Sequence, residues 1–207
     1  MKADFWHNLW EKKQIGWHKD VTNPLLEKHY SKLSINKNRV FVPLCGKSLD
    51  IKWLLDKNFH VLGIELSELA VVELFEYLDL EAQKTQRGPF ILYSAENIDI
   101  FVGDIFDLDK EVLGSIDSIY DRGAIVALPA SMRDKYTRHL IEITNNASQL
   151  VICYDYDEGL MNGPPFSVNK SLLYKYYSEN YTITLLETSS KGDFALDVDE
   201  NIWLLEN

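Results

Sequence analysis

The sequence predicts an α/β fold, a mostly parallel sheet held between helices and closed by one antiparallel hairpin. Three observations predict it. Short apolar runs alternate with amphipathic stretches along the chain, the pattern of successive β-α-β units. Arg39-Val-Phe-Val-Pro-Leu-Cys-Gly-Lys-Ser-Leu-Asp50 reads as a strand, a tight turn with Pro43 and Gly46, and a helix start. A second unit, Val61-Leu-Gly-Ile-Glu-Leu-Ser67, follows it and its strand ends in a carboxylate. Finally, the strand-like runs 182–187 and 202–205 have no helix-length segment between them, so they pair antiparallel.

The chain of 207 residues suits one domain, with residues 1–37 as a helical cap over a core of residues 38–207. A hydrophobic fraction of 46% and an aromatic fraction of 12% belong to a globular protein. The net charge of −11 argues against nucleic acid or an anionic membrane as the partner and favours a small ligand. Cys45 and Cys153 are the only cysteines, too few for a disulfide framework, so a reducing cytoplasm is expected. Acidic residues among the first twenty and the lack of an apolar run weigh against a signal peptide or a membrane span. A monomer is expected.

In order, residues 4–13 place Phe5 or Trp6, Leu9 and Trp10 on one helical face with Asp4 as N-cap. Gly16 breaks that pattern, and Pro24 starts a second amphipathic helix with Leu25, Leu26, His29, Tyr30 and Leu33. Strand 40–44 leads to a helix from Ser48 with Leu49, Trp53 and Leu54 inward. Strand 61–64 leads to a helix from Ser67 carrying Ala70, Val71, Leu74, Phe75 and Leu78. Residues 79–89 are polar, end at Gly88-Pro89 and read as a loop. Segments 90–94 and 98–102 form a hairpin whose second arm feeds the main sheet. A strand at 116–120, a helix at 130–144, a strand at 150–154 and a helix around 172–177 precede the closing hairpin.

Several constellations compete for chemistry. Gly46-Lys47-Ser48 resembles the end of a phosphate-binding loop, but Phe41 stands where that loop needs its first glycine. The three-glycine dinucleotide fingerprint is also absent. Glu65 either accepts ribose hydroxyls or serves as a charge at the start of the following helix. Position alone does not choose. However, Leu44-Cys45, Glu65, Asp104 and Asp121-Arg122 end four strands, and open α/β sheets bind ligands outside those ends. Together they point to a nucleoside site. His7 and His18 are either bases or packed imidazoles. Gly163-Pro164-Pro165-Phe166 is a stiff turn or an apolar wall. Asp155, Asp157 and Glu158 lack the ordered spacing of a metal site, and no metal is expected.

Six segments, in this order, carry a resemblance along nearly the whole chain: Phe5-Trp6…Trp10 with Gln14-Ile-Gly-Trp-His18; Phe41-Val-Pro-Leu-Cys-Gly-Lys-Ser48; Gly63-Ile-Glu-Leu-Ser67; Gly103-Asp-Ile-Phe-Asp-Leu108; Tyr120-Asp-Arg-Gly-Ala-Ile-Val-Ala-Leu-Pro129; and Gly163-Pro-Pro-Phe-Ser-Val168. They resemble the thiopurine S-methyltransferases, especially the shorter bacterial members. The resemblance implies a Rossmann-like class I methyltransferase fold with a seven-stranded sheet. Its cofactor would be S-adenosylmethionine, leaving as S-adenosylhomocysteine.

The same resemblance assigns cofactor contacts to Trp10, Leu44, Glu65 and Arg122, with Asp104 and Ile105 against the adenine. Trp17, Arg122, Pro164 and Pro165 would face a small thiol or chalcogen acceptor, with Arg122 as the catalytic cation. Two departures are visible. The segment between the last strands is short and acidic with Lys191 as its only cation, where relatives often carry a longer loop with a basic substrate contact. The sequence begins close to Trp6, so no substrate contact from an N-terminal extension like that of the longer animal enzymes is expected. A halide, small-thiol, selenium or tellurium methyltransferase is the enzymatic alternative, and a nucleoside-binding protein the non-enzymatic one.

Overall fold

A computed structural model describes residues 3–33, 38–190 and 198–207. One nine-stranded sheet runs through it. Its strands are β1 (Arg39–Pro43), β2 (His60–Glu65), β3 (Gln83–Arg87), β4 (Phe90–Ala95), β5 (Ile98–Val102), β6 (Ser118–Arg122), β7 (Ser148–Asp155), β8 (Thr182–Ser189) and β9 (Asp199–Glu206). The spatial order is β3-β4-β5-β2-β1-β6-β7-β9-β8. From β5 to β7 every pairing is parallel, whereas β9 pairs antiparallel with both β7 and β8. The seven strands from β5 to β8 are therefore the expected sheet with its closing hairpin. Two more extend it, because β4 pairs antiparallel with β5 and β3 with β4.

The helices are α1 (Ala3–Glu11), α2 (Pro24–His29), α3 (Leu49–Asp56), α4 (Glu68–Leu78), α5 (Lys110–Leu113), α6 (Ala130–Ile143) and α7 (Lys170–Tyr177). Alternate residues of a strand face opposite sides, so the sheet has a core on each face. Val40, Val42 and Val61 pack with Leu25 of α2, Ile51 and Leu54 of α3 and Leu74 of α4. Phe41, Leu62 and Ile64 pack on the other side with Leu113 of α5, Leu140 of α6 and Leu173 of α7.

Local chemistry sets the boundaries. Asn23 caps α2 by accepting the Leu25 N–H at 2.8 Å, ahead of Pro24 at the first helical position. Ser48 caps α3 and Asn169 caps α7. Four expectations need correction. Residues 83–87 are a strand, not a loop. Its side chains are all exposed, so there was no hydrophobic alternation to detect. Asp4 lies inside the first turn of α1 and not at its cap, and the helix stops before Lys13, whose φ of 53° is left-handed. The buried face of α3 is Asp50, Ile51 and Leu54, while Trp53 packs edge-to-face on Tyr30 at 4.8 Å near the surface. The strand read at 116–120 lies at 118–122, so Asp121 and Arg122 belong to β6 itself. Lys191 falls outside the described residues.

Candidate active site

The chain passes outward from β1 to β2 and β5, then returns to β6 on the other side of β1. That reversal leaves a crevice outside the carboxyl ends of the strands, where open α/β sheets take their ligands. A cavity of about 540 Å³ occupies it, lined by Leu44, Glu65, Asp104, Ile105 and Arg122 from the strand ends and by Trp10 and Trp17 from the N-terminal segment. Pro164 and Pro165 line it too. The nine residues that the family resemblance assigns to cofactor and acceptor thus line one cavity.

The turn after β1 is built for close approach. Leu44 holds a left-handed φ of 46° and Gly46 one of 53°. For leucine such a conformation costs of order 1–3 kcal/mol and persists where the surroundings impose it. The Cys45 N–H donates to the Ile64 carbonyl at 3.0 Å, knitting the turn to β2. Gly63 makes room for the Cys45 side chain, since a Cβ there would lie 3.0 Å from its sulfur. Cys45 is buried, and desolvation pushes its thiol well above the ordinary range. It is a packed turn residue. Lys47 pairs with Glu73 at 2.7 Å and Ser48 caps α3, so neither forms a phosphate cradle.

Glu65 is 6% exposed and does two local jobs. Oε2 accepts the Gly46 N–H at 2.9 Å, and Oε1 accepts the Ser67 N–H at 2.9 Å where α4 begins. Burial raises its carboxyl pKa, while these backbone donors oppose the shift. Each oxygen has a second lone pair, so a ligand can still be accepted. Directly above, Trp10 packs on the turn. A Cβ on Gly46 would lie 3.2 Å from the Trp10 Cζ2. Trp17 meets Trp10 edge-on at 6.0 Å and Trp6 at 5.3 Å, so the aromatic arm forms a continuous roof.

At the end of β5, Asp104 accepts the Phe106 N–H through Oδ1 at 2.9 Å, capping one 3-10 turn. That turn holds Ile105, and His139 of α6 donates to the Ile105 carbonyl at 2.8 Å. At β6 the paired residues separate. Arg122 faces the cavity and donates from Nη1 to the buried Asp50 at 3.1 Å. Asp121 does not line the cavity. It accepts the Ile125 N–H at 3.1 Å and the Tyr136 hydroxyl at 2.7 Å on the opposite side of the sheet, and burial raises its pKa to about 6. Strand alternation was the available signal, since adjacent residues cannot both face one side.

Arg133, also missed, is 2% exposed. It donates to the Leu128 carbonyl at 2.8 Å and the Ser167 carbonyl at 3.1 Å, fastening the proline loop to the cavity wall. The Tyr156 hydroxyl adds a bond to the Pro165 carbonyl at 2.6 Å. Further apolar lining comes from Leu9, Phe106, Met132 and Met161, which sequence position alone did not mark. His18 lines the cavity with its pKa lowered by burial and then by Lys47, whereas His7 stands outside. Among the described residues no group of three His, Cys, Asp or Glu can hold a metal ion. None of their helices is long and apolar enough to cross a membrane.

The model of the thiopurine S-methyltransferase family matches residues 1–201. The chain belongs to that family. Thiopurine S-methyltransferases from Teredinibacter turnerae and Acinetobacter baylyi are 50% and 46% identical to it. The first covers 99% of this chain and 97% of its own length, the second 99% and 98%. Among solved structures, an S-adenosylmethionine-dependent methyltransferase from Anabaena variabilis superposes with a TM-score of 0.68 at 14% identity, over 99% of this chain and 95% of its own. A Burkholderia thailandensis N-methyltransferase, solved with S-adenosylhomocysteine and its substrate, gives 0.67 at 12% identity over 99% and 87%. At those identities the structures speak for the fold. With the family, they make this chain an S-adenosylmethionine-dependent methyltransferase.

Proposed function

We propose that the enzyme methylates the sulfur of small aromatic or heteroaromatic thiols, with thiopurines as natural test substrates. The observation that supports this reading is that one cavity is lined by the carboxylates Glu65 and Asp104, the Arg122 guanidinium, the indoles of Trp10 and Trp17, and the proline pair Pro164 and Pro165.

The donor set fits the cofactor. Glu65 offers acceptors to two ribose hydroxyls, as acidic residues at the second strand end do in nucleotide-binding sheets. Asp104 and Ile105 supply an acceptor and an apolar surface for adenine. Leu44 and Gly46 let the turn approach the methionine end, and Trp10 offers a ring face that favours a sulfonium. Bound there, S-adenosylmethionine supplies an electrophilic methyl group open to in-line displacement by a thiolate.

What the protein must add is alignment and a bias toward the anion. An acidic aryl thiol is already largely ionised near neutral pH. Arg122, with its charge held by the buried Asp50, favours the thiolate further without accepting a proton. Trp17, Pro164 and Pro165 offer flat walls to a ring.

The test is transfer of a labelled methyl group across a panel of aryl thiols, thiopurines, alkyl thiols and halide. Aryl thiols and thiopurines are expected to be the best acceptors. No turnover on any thiol, in protein that binds S-adenosylhomocysteine, would overturn the reading.

A further inference from the structure

Asp50 lies in the first turn of α3, where an acidic residue ordinarily faces solvent and complements the helix dipole. Here it is wholly buried. Its Oδ2 accepts Arg122 Nη1 at 3.1 Å and the Tyr120 hydroxyl at 2.9 Å, and its Oδ1 accepts the backbone N–H of Asn23 at 2.8 Å. Asn23 extends the network by donating from Nδ2 to Glu200 of β9 at 3.0 Å. One carboxylate therefore joins the cavity's guanidinium, the sheet and the segment that carries Trp10 and Trp17. Helix α3 does not need it for a start, because Ser48 supplies the cap. A buried carboxylate is costly unless charge and hydrogen bonds compensate it, and here both do.

We propose that Asp50 is a positioning residue for Arg122, fixing the guanidinium in the cavity wall and tying its placement to the seating of the N-terminal segment through Asn23. Among the described residues Asp50 is the acceptor found for that guanidinium, whose Nε is buried without a partner. A free arginine side chain samples many rotamers, and the ion pair selects one. The inference rests on the reading of Arg122 as the cation of the acceptor site.

Two measurements test it. The first needs no substrate: arginine Nε–H and Nη NMR spectra of the ligand-free protein, with the Arg122 signals assigned through Arg122→Gln. Slow guanidinium rotation is expected in the parent protein and fast, averaged rotation in Asp50→Asn. Unchanged Arg122 signals in folded Asp50→Asn would overturn the proposal. The second is a double-mutant cycle on kcat/KM for an aryl thiol. Asp50→Asn is expected to lower it about tenfold in the parent and less than about twofold in the Arg122→Gln background. Equal losses in both backgrounds would mean a general structural role and overturn it. If Asp50→Asn does not fold, Tyr120→Phe, which removes one hydroxyl and no charge, takes its place with smaller effects of the same kind expected, and no effect counting against the proposal. If the parent turns over no thiol, the acceptor reading fails and the NMR experiment alone decides the role of Asp50.

Discussion

Glu65→Gln separates the two roles open to that residue. In the fold both carboxylate oxygens are committed to backbone donors, Gly46 on one side and Ser67 on the other, each at 2.9 Å. An amide brings one carbonyl oxygen and turns an NH2 toward the second donor, so one of these N–H groups loses its acceptor. A buried donor left unpaired costs about 1–3 kcal/mol. Losing the buried charge returns part of that, because desolvation has already raised the Glu65 pKa. The net destabilisation is about 1–2 kcal/mol, a fall in Tm of about 2–8 °C for a chain of this size. Binding loses more if Glu65 also holds the ribose. Hydrogen bonds to a charged group are worth about 1.5–3 kcal/mol, which makes S-adenosylhomocysteine roughly 10- to 150-fold weaker by calorimetry. An affinity unchanged within about twofold, alongside the lowered Tm, would refute the ribose role and leave Glu65 as a turn and helix-start residue.

Gly46→Ala combines a left-handed φ of 53° with a Cβ 3.2 Å from Trp10, so it should cost about 1–2 kcal/mol and displace the ring. Weaker S-adenosylhomocysteine binding and altered tryptophan fluorescence are the expected readouts; normal values of both would contradict the close packing. Asp121 titrates at about 6 in the fold against an ordinary value of 3.8. Because the folded value is the higher, its contribution to stability is complete below pH 3.8 and is lost as pH rises through about 6, a swing of about 3 kcal/mol. Urea unfolding of Asp121→Asn should lack that component of the pH dependence, and identical slopes in both proteins would disprove it. Arg133→Met leaves the Leu128 and Ser167 carbonyls without their donor and should cost about 2–5 kcal/mol. It should raise the acceptor KM more than it weakens S-adenosylhomocysteine, and equal effects on both would argue against a role confined to the proline loop.

The strand-end residues were legible because a strand followed by a polar terminus leaves a mark in the sequence. Leu44, Glu65, Asp104 and Arg122 each close an apolar run, and the parallel strands β1, β2, β5 and β6 place those closures on one edge. The aromatic arm was legible as a helix, but its place over the turn was not, since the contact of Trp10 with Gly46 is tertiary. Asp50 was invisible for the same reason. After Ser48 it reads as an ordinary first-turn acid, and only the approach of Asn23, Tyr120 and Arg122 gives it another role. Strand β3 carries no apolar periodicity, and its pairing with β4 defines it. Arg133 did leave a signal. It shares helical spacing with Tyr136, Thr137 and Leu140 on the buried face of α6, where an arginine must find carbonyls.

The central claim concerns the atom that receives the methyl group, which the shared fold cannot decide because an N-methyltransferase is among its structural neighbours. The direct measurement is to incubate the enzyme with a thiopurine and S-adenosylmethionine carrying a carbon-13 methyl, then locate that methyl in the product by heteronuclear NMR. The label is expected on the exocyclic sulfur. Label on a ring nitrogen, or an unmodified thiopurine in the presence of enzyme that binds the cofactor, would contradict the account.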